Sequence, residues 1–169
     1  MTLIKSISGI RGTIGGKYGS NLTPIDAVNF GCAYGQWILN RNPNKKPTVV
    51  IGRDARISGK MIQSFVQNSL ISLGVNVIDL DLSTTPTVEL MVKEYGADGG
   101  IIITASHNPT EWNALKLLDE NGEFLNSSEG EKIVKLSESK NFIFSNVHDL
   151  GKITLSNDSF MKVLFFDQY

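Results

Sequence analysis

The sequence has little that would suit an oxidising compartment or a membrane. Its single cysteine, Cys32, cannot form an internal disulfide, so we expect a cytoplasmic location. The N-terminus has no apolar run preceded by positive charge, which a signal peptide would require. No stretch approaches the roughly 20 consecutive apolar residues of a membrane span. We therefore expect no membrane partner.

Neither sign of charge dominates. The chain has 16 Lys and Arg against 17 Asp and Glu, a net charge of -1, and no basic run that could follow a nucleic-acid backbone. We expect no nucleic-acid partner. What is present is a globular composition, with 41% hydrophobic and 20% charged residues. A chain of 169 residues is long enough for one well-buried domain.

Strand-like and helix-like patterns alternate along the middle of the chain. Val49 to Ile51 is a continuous apolar run, typical of a strand buried on both faces. Helical periodicity follows from Ser58 to Gly74, and Val75 to Leu82 is the next strand. A shorter helix from Pro86 to Gly96 and a strand from Ile101 to Ile103 repeat the unit. This order predicts an α/β domain.

Further elements flank this alternation. Thr23 and Pro24 predict the start of a helix that runs to about Asn40, and its two glycines, Gly31 and Gly35, favour close packing on a neighbour. Ala114 to Leu125 resembles a hairpin that turns at Asn121-Gly122, and Ser128 to Leu136 is the next predicted helix.

The end of the sequence is less regular. After Lys140 the pattern loosens, and the chain ends in an amphipathic segment that contains Phe165 and Phe166. This segment needs an apolar surface to bury against, so it either packs back on the domain or leads into a following domain.

Two polar segments follow buried strands. One runs from Gly52 to Gly59, the other from Thr104 to Pro109. If the strands are parallel, both segments open onto the same rim of the sheet, where ligands of α/β domains collect. From the residues alone, a site for a small anion and an ordinary polar turn both remain open.

Ser106 is the candidate reactive residue of the second segment. A hydrolase elbow would read Gly-x-Ser-x-Gly, but Thr104 and Asn108 occupy the glycine positions, so serine hydrolysis is disfavoured. A serine can instead carry a phosphate where fixed cations hold its charge. Cationic donors on nearby segments are Arg11, Arg53, Arg56 and Lys116.

Three motifs in order resemble one family. The segment Thr104-Ala-Ser-His-Asn-Pro109, followed by Asn113-Ala-Leu-Lys116, looks like the signature of the α-D-phosphohexomutase superfamily. Gly9-Ile-Arg-Gly12 resembles its N-terminal arginine loop. Gly52-Arg-Asp54, with Arg56, Ser58 and Gly59, resembles a further family motif.

The resemblance implies a domain organisation. Members of this superfamily have four domains, and this chain resembles the first, a three-layer α/β/α domain whose mixed, mostly parallel sheet would have about four strands. We expect residues 1–150 to form this domain and residues 151–169 to begin the linker toward a second domain. The family's metal loop belongs to that second domain, and Asp79-Leu-Asp81 is no substitute because it lies in a predicted strand.

The resemblance also implies a reaction. Ser106 would be phosphorylated and would bind Mg²⁺ through a phosphate oxygen, with the other ligands in the second domain. It would donate its phosphoryl group to a hexose monophosphate, and a hexose 1,6-bisphosphate intermediate would return the other phosphate. The net reaction interconverts hexose 1-phosphate and hexose 6-phosphate, and the 169-residue fragment alone would show no turnover.

Roles for single residues follow by similarity. Lys116 aligns with the family's candidate general acid/base, and Arg11 would contact phosphate. His107 either assists proton transfer or holds the loop. Arg53 and Arg56 would bind phosphate, unless they tie their own loop together by ion pairs.

The sequence departs from the family pattern at two points. Ala114 stands where glycine is common, and Lys5-Ser-Ile-Ser8 replaces the usual lead-in. Which sugar is used stays open, and a non-catalytic sugar-phosphate-binding or scaffold domain is the alternative function.

Overall fold

A computed structural model describes residues 1–7 and 9–156. These residues form four helices and seven strands. The helices are α1 (Pro24–Arg41), α2 (Gly59–Ser72), α3 (Thr85–Glu94) and α4 (Ser127–Ser139). The strands are β1 (Ile4–Ser6), β2 (Gly9–Thr13), β3 (Thr48–Arg53), β4 (Asn76–Leu82), β5 (Gly99–Ile103), β6 (Trp112–Leu118) and β7 (Ile153–Leu155).

The seven strands form one mixed sheet in the order β1-β2-β6-β5-β3-β4-β7. The four strands β5, β3, β4 and β7 pair in parallel, whereas β1, β2 and β6 join by antiparallel pairs. The predicted α/β class and mixed sheet are confirmed. Our expected number of about four strands was too low, because β1, β2 and β7 lack a continuous apolar run.

Helices cover both faces of the sheet, which confirms the three layers. In β3, Val49 and Ile51 join a large core with α1, α2 and α4, while Val50 between them joins a smaller core with α3. Alternate residues of a strand point to opposite faces, so a strand that is apolar throughout needs cover on both sides. The buried runs of β3 and β5 have that cover.

The predicted helix boundaries agree closely with the structure. Thr23 precedes α1, and the Asp26 carboxylate accepts hydrogen bonds from both the amide and the hydroxyl of Thr23, at 3.0 and 2.5 Å. Gly74 and Gly96 follow α2 and α3 with φ of +88° and +56°, as helix-terminating glycines do.

The close packing predicted for α1 is confirmed. A Cβ added to Gly31 would lie 3.1 Å from the Cβ of Ser69 on α2. One added to Gly35 would lie 2.7 Å from a methyl group of Leu73. The two glycines thus let α1 approach α2.

The predicted turn after β6 is confirmed, but its second arm is minimal. Gly122 has φ of +69°, and the chain returns to pair with β6 only through an isolated bridge between Leu118 and Phe124. The helix predicted next is α4, which starts after Asn126, whose side chain accepts a 3.0 Å hydrogen bond from the amide of Glu129.

Beyond α4 the chain crosses to the far edge of the sheet, where β7 pairs with β4. The amphipathic segment predicted to contain Phe165 and Phe166 lies outside the described residues. Within residues 1–7 and 9–156, no helix has both the length and the apolar character needed to cross a membrane.

Candidate functional site

The two polar segments meet at one rim of the sheet, as predicted. Strands β3 and β5 are parallel neighbours, and Arg53 is in register with Ile103 at their carboxyl ends. The amide of Asp54 donates a 3.1 Å hydrogen bond to the carbonyl of Ile103. We call residues 104–112 the serine loop and residues 54–58 the arginine loop.

Ser106 is exposed in the serine loop and has a left-handed backbone, with φ of +53°. This conformation is uncommon for a residue with a side chain. The Ser106 amide donates a 3.0 Å hydrogen bond to the hydroxyl of Thr104. His107 is exposed next to it. The Ser106 side chain is therefore accessible at the rim rather than buried among apolar groups.

Arg56 connects the two loops through its guanidinium group. Its hydrogen bonds reach four carbonyl oxygens of the serine loop, at distances of 2.7 to 3.0 Å. These carbonyls belong to Ser106, Asn108, Pro109 and Trp112. Its Nε atom donates to a carboxylate oxygen of Asp54 at 3.1 Å.

Two further contacts, one between the loops and one between β6 and the arginine loop, were not anticipated from the sequence. The hydroxyl of Thr104 donates a 2.6 Å hydrogen bond to the Asp54 carboxylate. The side-chain amide of Asn113, which is fully buried, donates to the Ser58 hydroxyl at 2.9 Å. All four residues lie within the motifs, so the residue types were visible, but their pairing depends on the meeting of two segments about 50 residues apart.

Arg53 faces the end of β4 rather than the serine loop. Its Nε atom donates to Gln63 at 2.9 Å, and its guanidinium group forms an ion pair with Asp81, which has φ of +52°. A third hydrogen bond runs to the carbonyl of Asp54 at 3.3 Å. The phosphate-binding role predicted for Arg53 stays a prediction, and a phosphate there would compete with these partners.

Arg11 and Lys116 lie on the neighbouring strands β2 and β6. Arg11 is in register with Ala114, whose carbonyl accepts a 3.1 Å hydrogen bond from the amide of Thr104 at the base of the serine loop. Lys116 is in register with Gly9 and Ile102. Opposed residues of paired strands share a face, so both cations are on the α3 side of the sheet.

A groove of about 560 Å³ runs beside these two cations. Its lining includes Ile4, Ser6, Arg11, Lys116 and Phe124. Arg11 is exposed and Lys116 is partly buried. A concave surface with two cations and an apolar floor suits an anionic ligand that also has a carbon skeleton.

A match with a protein-family model identifies the family of this chain. Residues 3–143 match the model described as phosphoglucomutase/phosphomannomutase, alpha/beta/alpha domain I. The chain belongs to the phosphoglucomutase/phosphomannomutase family. Within this phosphohexomutase superfamily it corresponds to the N-terminal domain.

Curated relatives are consistent with this assignment. The phosphoglucomutase/phosphomannomutase of Thermococcus kodakarensis is 37% identical over 84% of this chain. A protein from the same organism, named probable phosphoglucosamine mutase, is 38% identical over 90% of the chain. The chain spans 31% and 32% of the lengths of these two phosphomutases, about a third of each.

Solved structures share the fold of this phosphohexomutase domain. A putative phosphomannomutase from Thermus thermophilus superimposes with a TM-score of 0.79 over 99% of this chain and 37% of its own, at 23% identity. A phosphoglucomutase/phosphomannomutase family protein from Burkholderia thailandensis gives a TM-score of 0.77 over 95% of this chain and 34% of its own, at 22% identity.

Proposed function

We propose that this domain carries the phosphoserine of an enzyme that interconverts hexose 1-phosphate and hexose 6-phosphate. The observation that carries the proposal is the exposed Ser106 on a loop fixed at the sheet rim, with Arg11 and Lys116 on the adjoining strands. The names of the relatives include phosphoglucomutase, phosphomannomutase and phosphoglucosamine mutase, which supports a sugar phosphate as substrate.

The proposed reaction has two transfers at one oxygen. The phosphoryl group leaves Ser106 for a hydroxyl of the hexose monophosphate, which forms hexose 1,6-bisphosphate and releases the serine oxygen. The other phosphoryl group of this intermediate then returns to Ser106. Such transfers depend mainly on positioning and on neutralising charge, since the phosphoryl group in flight is loosely bonded.

We assign roles to three further residues. Lys116 takes the proton from the attacking sugar hydroxyl and passes it to the serine oxygen that the phosphoryl group leaves. In the return transfer it takes the proton of the serine hydroxyl and gives it to the departing sugar oxygen. Arg11 donates hydrogen bonds to a phosphate of the substrate. His107 either assists proton transfer or supports the serine loop.

Mg²⁺ would supply positive charge to the transferred phosphoryl group. Residues 1–7 and 9–156 contain no group of three or more His, Cys, Asp or Glu that could hold a metal ion. As the family resemblance implies, the ion would bind a phosphate oxygen on Ser106 and would take its remaining ligands from a second domain of the enzyme.

Phosphate transfer to the full-length protein tests the proposal. The protein is incubated with radiolabelled glucose 1,6-bisphosphate, and the peptide that contains residues 104–116 is analysed by mass spectrometry. We expect one phosphate on Ser106 and none in the Ser106→Ala variant. An unlabelled peptide would support the alternative, a non-catalytic sugar-phosphate-binding or scaffold domain.

The sugar specificity can be measured with the same full-length protein. Turnover of the 1-phosphates of glucose, mannose and glucosamine is compared in the full-length protein. The substrate with the highest kcat/KM identifies the activity among the three that the relatives' names suggest.

A further inference from the structure

We infer that Arg56 is a positioning residue that fixes the Ser106 hydroxyl for phosphoryl transfer, an inference that rests on the proposed function. The sequence motif places Arg56 among the candidate phosphate-binding cations. Its contacts give it a different task, because its guanidinium group faces the backbone of the serine loop.

Every donor of the Arg56 side chain is occupied. A guanidinium group has five N–H donors in a planar fork. The five acceptors around Arg56 are Asp54 at 3.1 Å, Asn108 and Pro109 at 2.7 Å, Ser106 at 2.8 Å and Trp112 at 3.0 Å. Arg56 could bind a phosphate only by releasing one of them. Its side chain is only 12% exposed, which also suits an internal support.

Asp54 completes the support from the other side. Its carboxylate accepts hydrogen bonds from the Arg56 amide at 3.1 Å and from the Thr104 hydroxyl at 2.6 Å. The Thr104 hydroxyl in turn accepts a hydrogen bond from the Ser106 amide at 3.0 Å. Both backbone polar groups of Ser106 are thus tied to the Arg56–Asp54 pair, the carbonyl directly and the amide through Thr104.

This arrangement accounts for the backbone of Ser106. A serine in the left-handed region persists only where its surroundings hold it there. Without Arg56 the loop carbonyls would lose their shared donor, and Ser106 would be free to move to more favourable backbone angles. A displacement of about 1 Å in a reacting group can slow a reaction by roughly 100-fold.

Two variants test the inference in the full-length protein. Arg56→Ala removes all five hydrogen bonds, and Arg56→Lys keeps the charge but not the planar fork. We expect phosphorylation of Ser106 by glucose 1,6-bisphosphate to slow by roughly 100-fold in both, with KM nearly unchanged. Guanidinium ion added to Arg56→Ala should restore part of the rate.

Arg41→Ala is the matched control. Arg41 also forms ion pairs, with Glu120 in the turn after β6 and with Glu129 on α4. The control should keep the wild-type rate of phosphorylation. Hydrogen exchange of the amides in residues 104–112 should accelerate in Arg56→Ala and not in Arg41→Ala.

The outcomes separate this inference from the proposed function. Wild-type rates in both Arg56 variants, or a loss confined to KM, would overturn it, since a change in KM alone indicates phosphate binding. If wild-type Ser106 takes no phosphate, the proposed function is wrong. The role of Arg56 in holding the serine loop is then tested by hydrogen exchange alone. Faster exchange in Arg56→Ala then supports the role of Arg56 in holding the loop, and unchanged exchange refutes it.

Discussion

The hydroxyl of Tyr34 on α1 donates a 2.7 Å hydrogen bond to the carbonyl of Leu118 at the end of β6. Tyr34 is fully buried, and this burial raises the pKa of its phenol well above the ordinary value. A raised pKa favours the protonated phenol, which is the form that donates this hydrogen bond. The bond joins a helix to the sheet across 84 residues of sequence.

Tyr34→Phe should destabilise the domain. The change leaves the buried Leu118 carbonyl without this donor, which costs about 1–3 kcal/mol of unfolding free energy. Urea unfolding measures the loss. Tyr18→Phe, at a residue that is 44% exposed, is the control and should unfold as the wild type does. Equal midpoints for the two variants would contradict the prediction.

Gly99→Ala should destabilise the domain through the same contact. An added Cβ would lie 2.1 Å from the Tyr34 hydroxyl oxygen and 2.9 Å from the Leu118 carbonyl oxygen. Overpacking of this kind costs about 1–3 kcal/mol or more. Since Tyr34→Phe removes the closest atom, the double variant should lose less stability than the sum of the single losses. Strictly additive losses in urea unfolding would show that the clash lies elsewhere.

Glu129→Gln should lower stability in a pH-dependent way. Hydrogen bonds from Lys132 and then Trp37, at 2.7 and 2.5 Å, hold the pKa of Glu129 below its ordinary value of 4.5. A lowered carboxyl pKa stabilises the fold above the unfolded-state pKa, and that contribution is lost as the pH falls through the folded-state pKa.

The expected difference is about 1 kcal/mol at pH ~7, shrinking below pH ~4.5. Urea unfolding at several pH values measures it. Glu131→Gln, on the exposed side of α4, is the control and should show little difference at any pH. A difference that persisted unchanged in acid would rule out the carboxylate as its source.

Ser106→Gly should be more stable than Ser106→Ala. Both remove the hydroxyl and with it any phosphorylation. Only glycine relieves the left-handed backbone at φ of +53°, which costs a residue with a side chain about 1–2 kcal/mol. We expect glycine to exceed alanine by ~1 kcal/mol in thermal or urea unfolding. Alanine of equal or greater stability would mean that the loop relaxes easily.

The purified 169-residue chain should show no mutase turnover. In the proposed reaction, the remaining metal ligands and most sugar contacts come from other domains of the enzyme. A coupled assay for glucose 6-phosphate formed from glucose 1-phosphate measures this, with the full-length protein as the positive control. Turnover by the fragment would show that this domain is sufficient.

Much of the fold could be predicted from local signals. Thr23-Pro24, Gly74 and Gly96 mark helix ends by chemistry that acts within a few residues. The apolar runs of β3 and β5 record burial on both faces. In contrast, β2 contains two glycines and one arginine in five residues, and its pairing with β6 joins segments about 100 residues apart. No local pattern predicts such a strand.

The candidate site, like the fold, could be predicted from the sequence only in part. The motifs singled out Ser106, Arg11 and Lys116, which the structure places on the serine loop and the neighbouring strands β2 and β6. Their roles stay predictions. The orientation of Arg56 could not be predicted, because an arginine beside an aspartate suits an anion site and an internal ion pair equally well. The distinction arises only when the carbonyls of a second loop turn toward the guanidinium group.

The hydrogen bonds of Arg56 to four carbonyls tie the backbone that carries Ser106 to the sheet rim. In the proposed reaction, two different ends of the sugar must reach the Ser106 oxygen in turn. The hexose 1,6-bisphosphate must therefore turn around between the two transfers. The enzyme must give it space to rotate and still prevent its release. An inhibitor long enough to occupy both ends of that space would stop the cycle at its midpoint.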